Sequence, residues 1–593
     1  MMLFPAASAP PRTLKASSAA GQYGRKDGAK EQHQPPKTLN MPGRSTESGS
    51  SGGDASVTGD FKQRSLASLH SARKGGIKTS YRVVLTADKT LMSSYNQSMF
   101  IGFAACFPRV LPKWLYLRLF CPSQPHPDGL AKFAPCGLRK IQAALIRSGI
   151  PERDIAVAYP DSIHRVIDDK TKVVGINTSD PMGLGPASST FSSLLGREPY
   201  TAFFFRSLVT NEAIRRSGAK VIVGGAGAWQ LGDDAVRERL GIDTLVEGEG
   251  ELVAPKLFRD ALEGKPLPAR VTGGTTDVED IPKIAGPTIN GMVEISRGCG
   301  RGCEFCNPNM RIVRHIPEER ILDEVRLNLA SGNDKICLHA EDVLRYRARG
   351  MVPDGEKVIG LFERVAELTE NIVISHFALS SALAAPKVVE ELSHIVGADT
   401  GKRMYGQTGI ETGSPKLVHS HMKGKAKPFE ADKWPEVVRE SFKLLADNNW
   451  VPCGTLVMGM PGERAEDVAK TLELVRDLRP YKSLIVPLFF VPLGELKNSE
   501  FFRPHAMLPE HWMLLAECIE HDFSWVRVLM DELFTQNRLS SAKANGMKLA
   551  AWYMQRRLRP SLELMREGKN PIPVEREKAP EGLYWLPPGE AET

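Results

Sequence analysis

Up to about residue 78 the chain shows no periodic apolar pattern: Ser, Gly, Ala, Pro and Lys predominate, and the first isoleucine is Ile77. Such a stretch buries too little apolar surface to offset the entropy of ordering it, so residues 1–78 are expected to form a disordered tail. Met1-Met2-Leu3-Phe4 is too short an apolar run for a secretory signal. A targeting segment, a plain tail and a start-site artefact all stay open for it. From Tyr81 the pattern changes. Short apolar, β-branched runs at 82–86, 155–158, 173–177, 220–225 and 244–247 alternate with helical periodicity at 137–147, 205–216 and up to Leu262. Strands alternating with helices imply a parallel sheet covered on both faces. Residues 79–264 are therefore expected to be a doubly wound α/β domain, with ligands beyond the carboxyl ends of its strands.

Residues 265–290 carry several Pro and Gly and read as a linker. A second alternation follows, with strands at 292–296, 336–339, 372–375, 404–410, 454–458 and 484–491. Helical patterns occupy 318–330, 356–368, 386–394, 434–448 and 465–478. Six strand–helix units predict a partial, six-stranded β/α barrel over 291–497, with its chemistry at the strand C-termini. Residues 498–593 read as mainly helical. Trp512, Leu515, Ile519, Phe523, Val526, Met530 and Leu533 fall at helical spacing and predict a core-facing stripe.

Composition adds exclusions. Hydrophobic residues make up 42% and charged residues 25%, ordinary for a globular chain, and a formal charge of +7 over 593 residues argues for no nucleic-acid partner. No run of eighteen apolar residues occurs, so no membrane span is expected. Nine sparse cysteines fit a reducing compartment, and a cytoplasmic location is expected.

The chemistry concentrates in Glu294-Ile295-Ser296-Arg297-Gly298-Cys299-Gly300-Arg301-Gly302-Cys303-Glu304-Phe305-Cys306. Cys299, Cys303 and Cys306 stand at C-x3-C-x2-C spacing in a glycine-rich loop after a strand. Three thiolates on one loop can hold three irons of a 4Fe–4S cubane and leave the fourth iron open to a ligand. A zinc site would need a fourth Cys or His at matching distance, and His315 has no paired ligand. The spacing resembles the signature of the radical S-adenosylmethionine (SAM) superfamily. There SAM chelates the open iron and is cleaved by an electron from the cluster to a 5′-deoxyadenosyl radical.

The resemblance continues at strand ends. Phe305 stands where the family places an aromatic residue near adenine. His339-Ala340-Glu341-Asp342 occupies the place of a Gly-Gly-Glu segment, keeping an acid at Glu341 but lacking the glycines. Gly409-Ile410-Glu411-Thr412-Gly413-Ser414 resembles the ribose-contacting segment, with Gly409 and Glu411 its candidate contacts. Met458-Gly459-Met460-Pro461-Gly462-Glu463 is similar to the turn that approaches adenine, which nominates Met458 and Gly459. The likeness covers about residues 290–495.

In the leading domain, Lys220-Val221-Ile222-Val223-Gly224-Gly225 and Thr244-Leu245-Val246-Glu247-Gly248-Glu249-Gly250-Glu251 resemble the end of the cobalamin-binding domain fused to some radical SAM proteins. The resemblance nominates Gly224, Gly225, Glu247 and Gly248, with Ser179, Gly183 and Gly185 of a neighbouring small-residue loop. The Asp-x-His-x-x-Gly loop that supplies an axial histidine in other cobalamin domains is missing after residues 82–86; an apolar insertion stands there instead. Cys106, Cys121 and Cys136 raise the methylthiotransferase branch with its second cluster, but their even spacing does not resemble that branch.

These likenesses imply a cobalamin-dependent radical SAM enzyme that methylates an unactivated carbon of a small-molecule or lipid substrate, with electrons from a flavodoxin- or ferredoxin-like donor. A radical rearrangement, cyclisation or carbon–carbon coupling is the alternative within the enzymes, and an iron–sulfur electron-transfer or sensor protein the alternative outside them. Leu549, Trp552, Tyr553, Arg556, Arg557 and Arg559 suggest either a helical cap on the barrel mouth or a membrane-surface contact; the cap is the expected role.

Overall fold

The computed structural model describes residues 80–122, 128–536 and 538–572, so the expected tail at 1–78 lies outside the described residues. Six strands form the leading sheet: β1 (Val83–Ala87), β2 (Ile155–Val157), β3 (Val173–Asn177), β4 (Lys220–Gly224), β5 (Thr244–Glu247) and β6 (Arg270–Thr272). They lie in the order β2-β1-β3-β4-β5-β6, all parallel. Every residue of β1 is buried, as a strand covered on both faces requires. The chain winds to one side of β1 and then to the other, so the crevice beyond β1 and β3 is the topological switch point where such sheets take ligands.

Two expectations need correction here. Residues 265–290 are not only a linker, because β6 within them completes the sheet against β5. The helix expected at 205–216 is two helices, Tyr200–Val209 and Glu212–Ser217, divided where the Asn211 side chain accepts from Ala213 N and starts the second. Four other helices of this region matter below: α1 (Lys113–Leu119), α2 (Cys136–Arg147), α3 (Pro186–Leu195) and α4 (Ala254–Leu262). Phe258 of α4 and Leu85 of β1 fill the space above Gly175, where a Cβ would meet both at 2.7 Å.

The second series contains β7 (Met292–Glu294), a short antiparallel hairpin of β8 (Ser296–Arg297) and β9 (Arg314–His315), then β10 (Ile336–His339), β11 (Ile372–Ile374), β12 (Met404–Glu411), β13 (Trp450–Met458) and β14 (Leu484–Phe489). The barrel strands form two parallel three-stranded sheets, β11-β10-β7 and β12-β13-β14. They meet where Gln407 N donates to Ser375 O (2.9 Å) and Phe377 N donates to Gln407 O (3.0 Å). Along β12, Met404, Gly406, Thr408 and Ile410 are buried while Tyr405, Gln407, Gly409 and Glu411 are half-buried. Met404 and Ile410 belong to the core shared with the covering helices, so the alternate set lines the barrel interior.

Helices α5 (Glu318–Ala330), α6 (Pro509–Gln536) and α7 (Ser541–Arg566) complete the elements used here. Trp512 and Leu515, from the expected stripe on α6, are buried with Leu562 and Met565 of α7, so the two helices run antiparallel. The middle of α6 lies at the end of the barrel opposite its mouth. His521 of α6 meets Ser483 Oγ at 2.8 Å, and Asp522 accepts from Ile485 N at 2.7 Å, both at the amino end of β14. α6 thus walls the outside of β14 with Leu514, Cys518, His521 and Asp522, while its apolar stripe turns toward α7. Among the described residues no helix is long and apolar enough to cross a membrane.

Candidate functional site: the cysteine loop and the crevice beside it

The hairpin β8–β9 frames the loop that carries the three cysteines. Its path needs left-handed backbone at Gly298, Gly300 and Gly302 (φ 82°, 68° and 69°), a region closed to most side chains. Met310 O accepts from Cys299 N (2.9 Å) and Gly300 N (3.0 Å), and Arg345 Nη1 donates to Cys299 O (2.6 Å). From the far side Gly494 presses on the loop; a Cβ there would strike the carbonyl oxygens of Cys306 and Glu304.

All three thiols are half-buried. Burial pushes Cys303 up to about 11 and Cys306 up to about 12. Cys299 adds to both shifts and Cys303 to that of Cys306, so the three lie close enough to feel one another. Among the described residues no three His, Cys, Asp or Glu side chains gather to hold a single metal ion. A cubane asks for something else: three neighbouring thiolates, one to each of three corners. The loop fits that demand, and iron binding would displace the protons that burial holds on the sulfurs.

The other expected SAM contacts divide. Phe305 is half-buried and packs against the barrel core. Glu341 is exposed at the end of β10, and its charge reaches Cys306. Glu411 has φ 64° and lies in the barrel interior, where Lys425 Nζ donates to its Oε1 at 2.8 Å. Gly409 leaves the space in which these two side chains stand. Lys425 also opposes the upward shift of Cys303, which places an ion pair beside the cysteine loop. Arg301, between the first two cysteines, fixes this arrangement: its guanidinium is buried and donates to the carbonyls of Gly424, Lys425 and Lys427, each at 3.1 Å.

Met458 and Gly459 are placed differently from expectation. The Met458 side chain is in the core and its carbonyl accepts from Phe490 N (2.9 Å). Gly459 N donates to the Glu463 carboxylate, and the Phe502 ring lies against its Cα. The turn is therefore engaged within the protein, with His511 Nε2 donating to the Glu463 carboxylate at 2.9 Å behind it.

At the switch point of the leading sheet, the residues just beyond β1 and β3 are polar and incompletely satisfied. Asp88 Oδ2, Thr178 Oγ1 and, on α3, Ser192 Oγ are buried without a hydrogen-bond partner. Burial pushes Asp88 up to about 6 and raises Asp180 as well. Buried polar atoms left unpaired are costly and call for a partner. A ligand edged with amides, as cobalamin is, fits such a rim. The nominated glycines sit in tight surroundings: a Cβ on Gly225 would strike Asn177 and Thr178, one on Gly183 would meet Pro199, and one on Gly185 would crowd Asp180 at 3.1 Å. Gly224 is in ordinary contact with Val246. Ser179 lies under Gly227, and a Cβ on Gly248 would stand 3.6 Å from Asn309 of the cysteine loop. Glu247 ends β5, its carbonyl accepting from Gly273 N (2.7 Å).

The acids after Glu247 had no assigned part in the sequence reading, and they join the two halves. Arg297 at the mouth of the cysteine loop pairs with Glu249 (2.8 Å), Glu251 (2.9 Å) and Glu294 (2.7 Å). Arg314 binds Glu249 through both of its terminal nitrogens, at 2.7 and 2.8 Å. Lys140 of α2 adds Glu324 of α5 at 3.0 Å and Glu294 at 3.7 Å. Burial opposes ionisation of Glu294, but Arg297 and Lys140 hold it down at about 2. His339 and His376, also unassigned by sequence, face each other with ring centroids 5.8 Å apart, and Nδ1 of each is buried without a partner. The fifteen-spaced cysteines do not assemble. Cys106 adjoins Asp180, Cys121 adjoins Ser93 and Tyr95, and Cys136 adjoins Lys140, each thiol raised by its own burial.

Comparison with known proteins bears on this geometry. Residues 293–475 match the model of the radical SAM superfamily. The ribosomal protein uS12 methylthiotransferase RimO of Leptospira biflexa is 27% identical over 240 residues, 37% of this chain and 48% of that protein. The tRNA-2-methylthio-N(6)-dimethylallyladenosine synthase of Geobacter sulfurreducens is 23% identical over 275 residues, 45% and 58% respectively. The chain thus spans less than two thirds of either relative. Among solved structures, the radical SAM methyltransferase TsrM of Kitasatospora setae, with tryptophan and aza-SAM bound, aligns with a TM-score of 0.46 and 16% identity over 70% of this chain and 75% of that one.

Proposed function

We propose, from the premise that residues 293–475 form a radical SAM domain and that the chain is a radical SAM enzyme, that it is a cobalamin-dependent methyltransferase acting on an unactivated carbon. The observation that carries this reading is the shared ion network. Glu249 and Glu251 follow the strand end nominated for cobalamin, and Arg297 opens the cysteine loop, so the crevice and the loop are held in register.

Cys299, Cys303 and Cys306 would hold the cluster, and the rim of Asp88, Thr178 and Ser192 would receive the corrin's amides. When bound, the cluster supplies the electron that cleaves SAM, and cobalamin carries the methyl group. The chain's own residues do the positioning. Arg345 and Met310 fix the Cys299 backbone, and Arg301 sets Lys425 beside Glu411. Glu411 offers a carboxylate able to accept from two vicinal hydroxyls, Lys425 a cation for an anionic group, and Glu341 an open acid for an amino group. The substrate would be a small molecule or lipid, the electron donor flavodoxin- or ferredoxin-like, and the location cytoplasmic.

Methylthiolation is the second reading, favoured by the sequence relatives. The scattered Cys106, Cys121 and Cys136 give it no second cluster site. Metal analysis after anaerobic reconstitution with iron, sulfide and cobalamin separates the two: about four irons and one cobalt per chain against about eight irons and no cobalt. SAM and dithionite should then release 5′-deoxyadenosine. No release, with Cys303→Ala behaving like the parent, would refute the radical reading.

A further inference from the structure

Helix α7 is buried along one side only. Met547, Leu562 and Met565 are covered, whereas Leu549, Trp552, Tyr553, Met554 and Leu564 expose between 41% and 64% of their surface. Pro560 lies inside α7 without ending it. The helix phase is therefore kept, and at 100° per residue Leu549, Trp552, Tyr553, Arg556 and Arg559 fall within about 120° of one another. A wide face of large apolar and aromatic groups is thus left without a partner among the described residues.

The helix as a whole is strongly basic, and its one acid, Glu563, falls on the same face as Arg556 and Arg559. α7 carries six Lys or Arg against the single acid Glu563. Lys548 is engaged by Asp531 and Arg566 by Glu520. Arg556 instead lies 5.9 Å from the centroid of the Trp552 ring, and neither it nor Arg559 pairs with a carboxylate among the described residues. The patch continues onto α1, where Trp114 is 67% exposed one turn from the exposed Arg118. α1 meets the start of α7 through Leu119 and Gly546, where a Cβ would sit 3.3 Å away.

Water satisfies the arginines but not the indoles and leucines beside them. Two copies of the chain meeting through this face would bury four arginines, Arg556 and Arg559 of each, against only two glutamates, Glu563 of each. A layer with apolar depth and anionic head groups meets both demands at once. Trp, Tyr and Arg all sit well at that level, with apolar bodies inward and polar ends in water. We propose that α7, with Trp114 of α1, rests on an anionic lipid surface.

Flotation of the full, cluster-loaded chain with vesicles tests this. The chain should float with vesicles of equal phosphatidylcholine and phosphatidylglycerol, but not with phosphatidylcholine alone, and 0.5 M NaCl should release it. Arg556→Gln with Arg559→Gln should weaken the binding about 30-fold, from about 1 kcal/mol for each cation near such a surface. Trp552→Ser with Tyr553→Ser should abolish it even at low salt. Iron content and cluster absorbance report that each variant is folded. A parent chain that stays at the bottom with both vesicles would overturn the proposal, as would an arginine double variant that floats like the parent. So would self-association abolished by the Trp552 substitution in a chain that does not float. None of these readouts needs SAM turnover.

Discussion

Arg297 and Glu249 come from different halves of the chain and meet in a 2.8 Å ion pair in which both side chains are about nine-tenths buried. Removing the cation would strand Glu249, Glu251 and Glu294 in a poorly solvated place. Breaking one side of a buried pair costs about 3–5 kcal/mol. Arg297→Gln should therefore lower the stability measured by urea unfolding by about that much, and reduce the iron retained per chain. Stability and iron equal to the parent would show that the network has no such part.

Gly494→Ala probes the cysteine loop from outside it. The residue has φ 58°, and its Cβ would meet the backbone of Cys306 and Glu304, which a rotamer change cannot relieve. Reconstituted protein should hold less iron, while far-UV circular dichroism remains that of the parent. A variant that loads four irons normally would contradict the contact.

Glu411→Gln tests the candidate hydroxyl acceptor. A hydrogen bond to a charged group contributes about 1.5–3 kcal/mol, or about 10- to 150-fold in affinity. Anaerobic equilibrium dialysis of the cluster-loaded variant should show SAM binding weakened within that range at unchanged iron content. Lys425→Met should weaken it too, by leaving Glu411 without its cation. Parent-like dialysis curves for both would remove this pair from the site.

Burial holds His376 at about 4, with His339 adding to the effect and Glu341 opposing it. The folded pKa lies below the unfolded value of about 6.5, so the unfolded chain takes up the proton first as pH falls. Stability from this group is complete above about pH 6.5 and is lost as pH falls toward 4. Between pH 7 and 5 the loss amounts to about 2 kcal/mol. In urea unfolding of the cluster-free chain, His376→Asn should flatten the pH dependence by that amount. An unchanged slope would place the acid sensitivity elsewhere.

Much of the fold is legible in local pattern, because strand and helix periods are local. Val173–Asn177, Thr244–Glu247 and Ile336–His339 lie where their apolar runs end. β6 is not legible because Arg270-Val271-Thr272 is short and sits among Pro and Gly; only pairing with β5 makes it a strand. The three cysteines were legible for a similar reason, since one loop carries them all. Their supports were not. Arg297 and Glu249 are 48 residues apart, and Lys425 reaches Glu411 from a loop with no pattern of its own. At Met458 and Gly459 the turn is visible in sequence but the Phe502 ring that covers it is not.

The barrel's two sheets are joined by the short contact at Gln407, Ser375 and Phe377 rather than by a continuous ladder. Each sheet is stiff along its own hydrogen bonds, so the wall is most compliant at this seam. His376, whose ring faces the interior, stands on it. A guest wider than the cavity would strain the wall there first, and the girth that the chamber tolerates is set by how far these two half-shells can part.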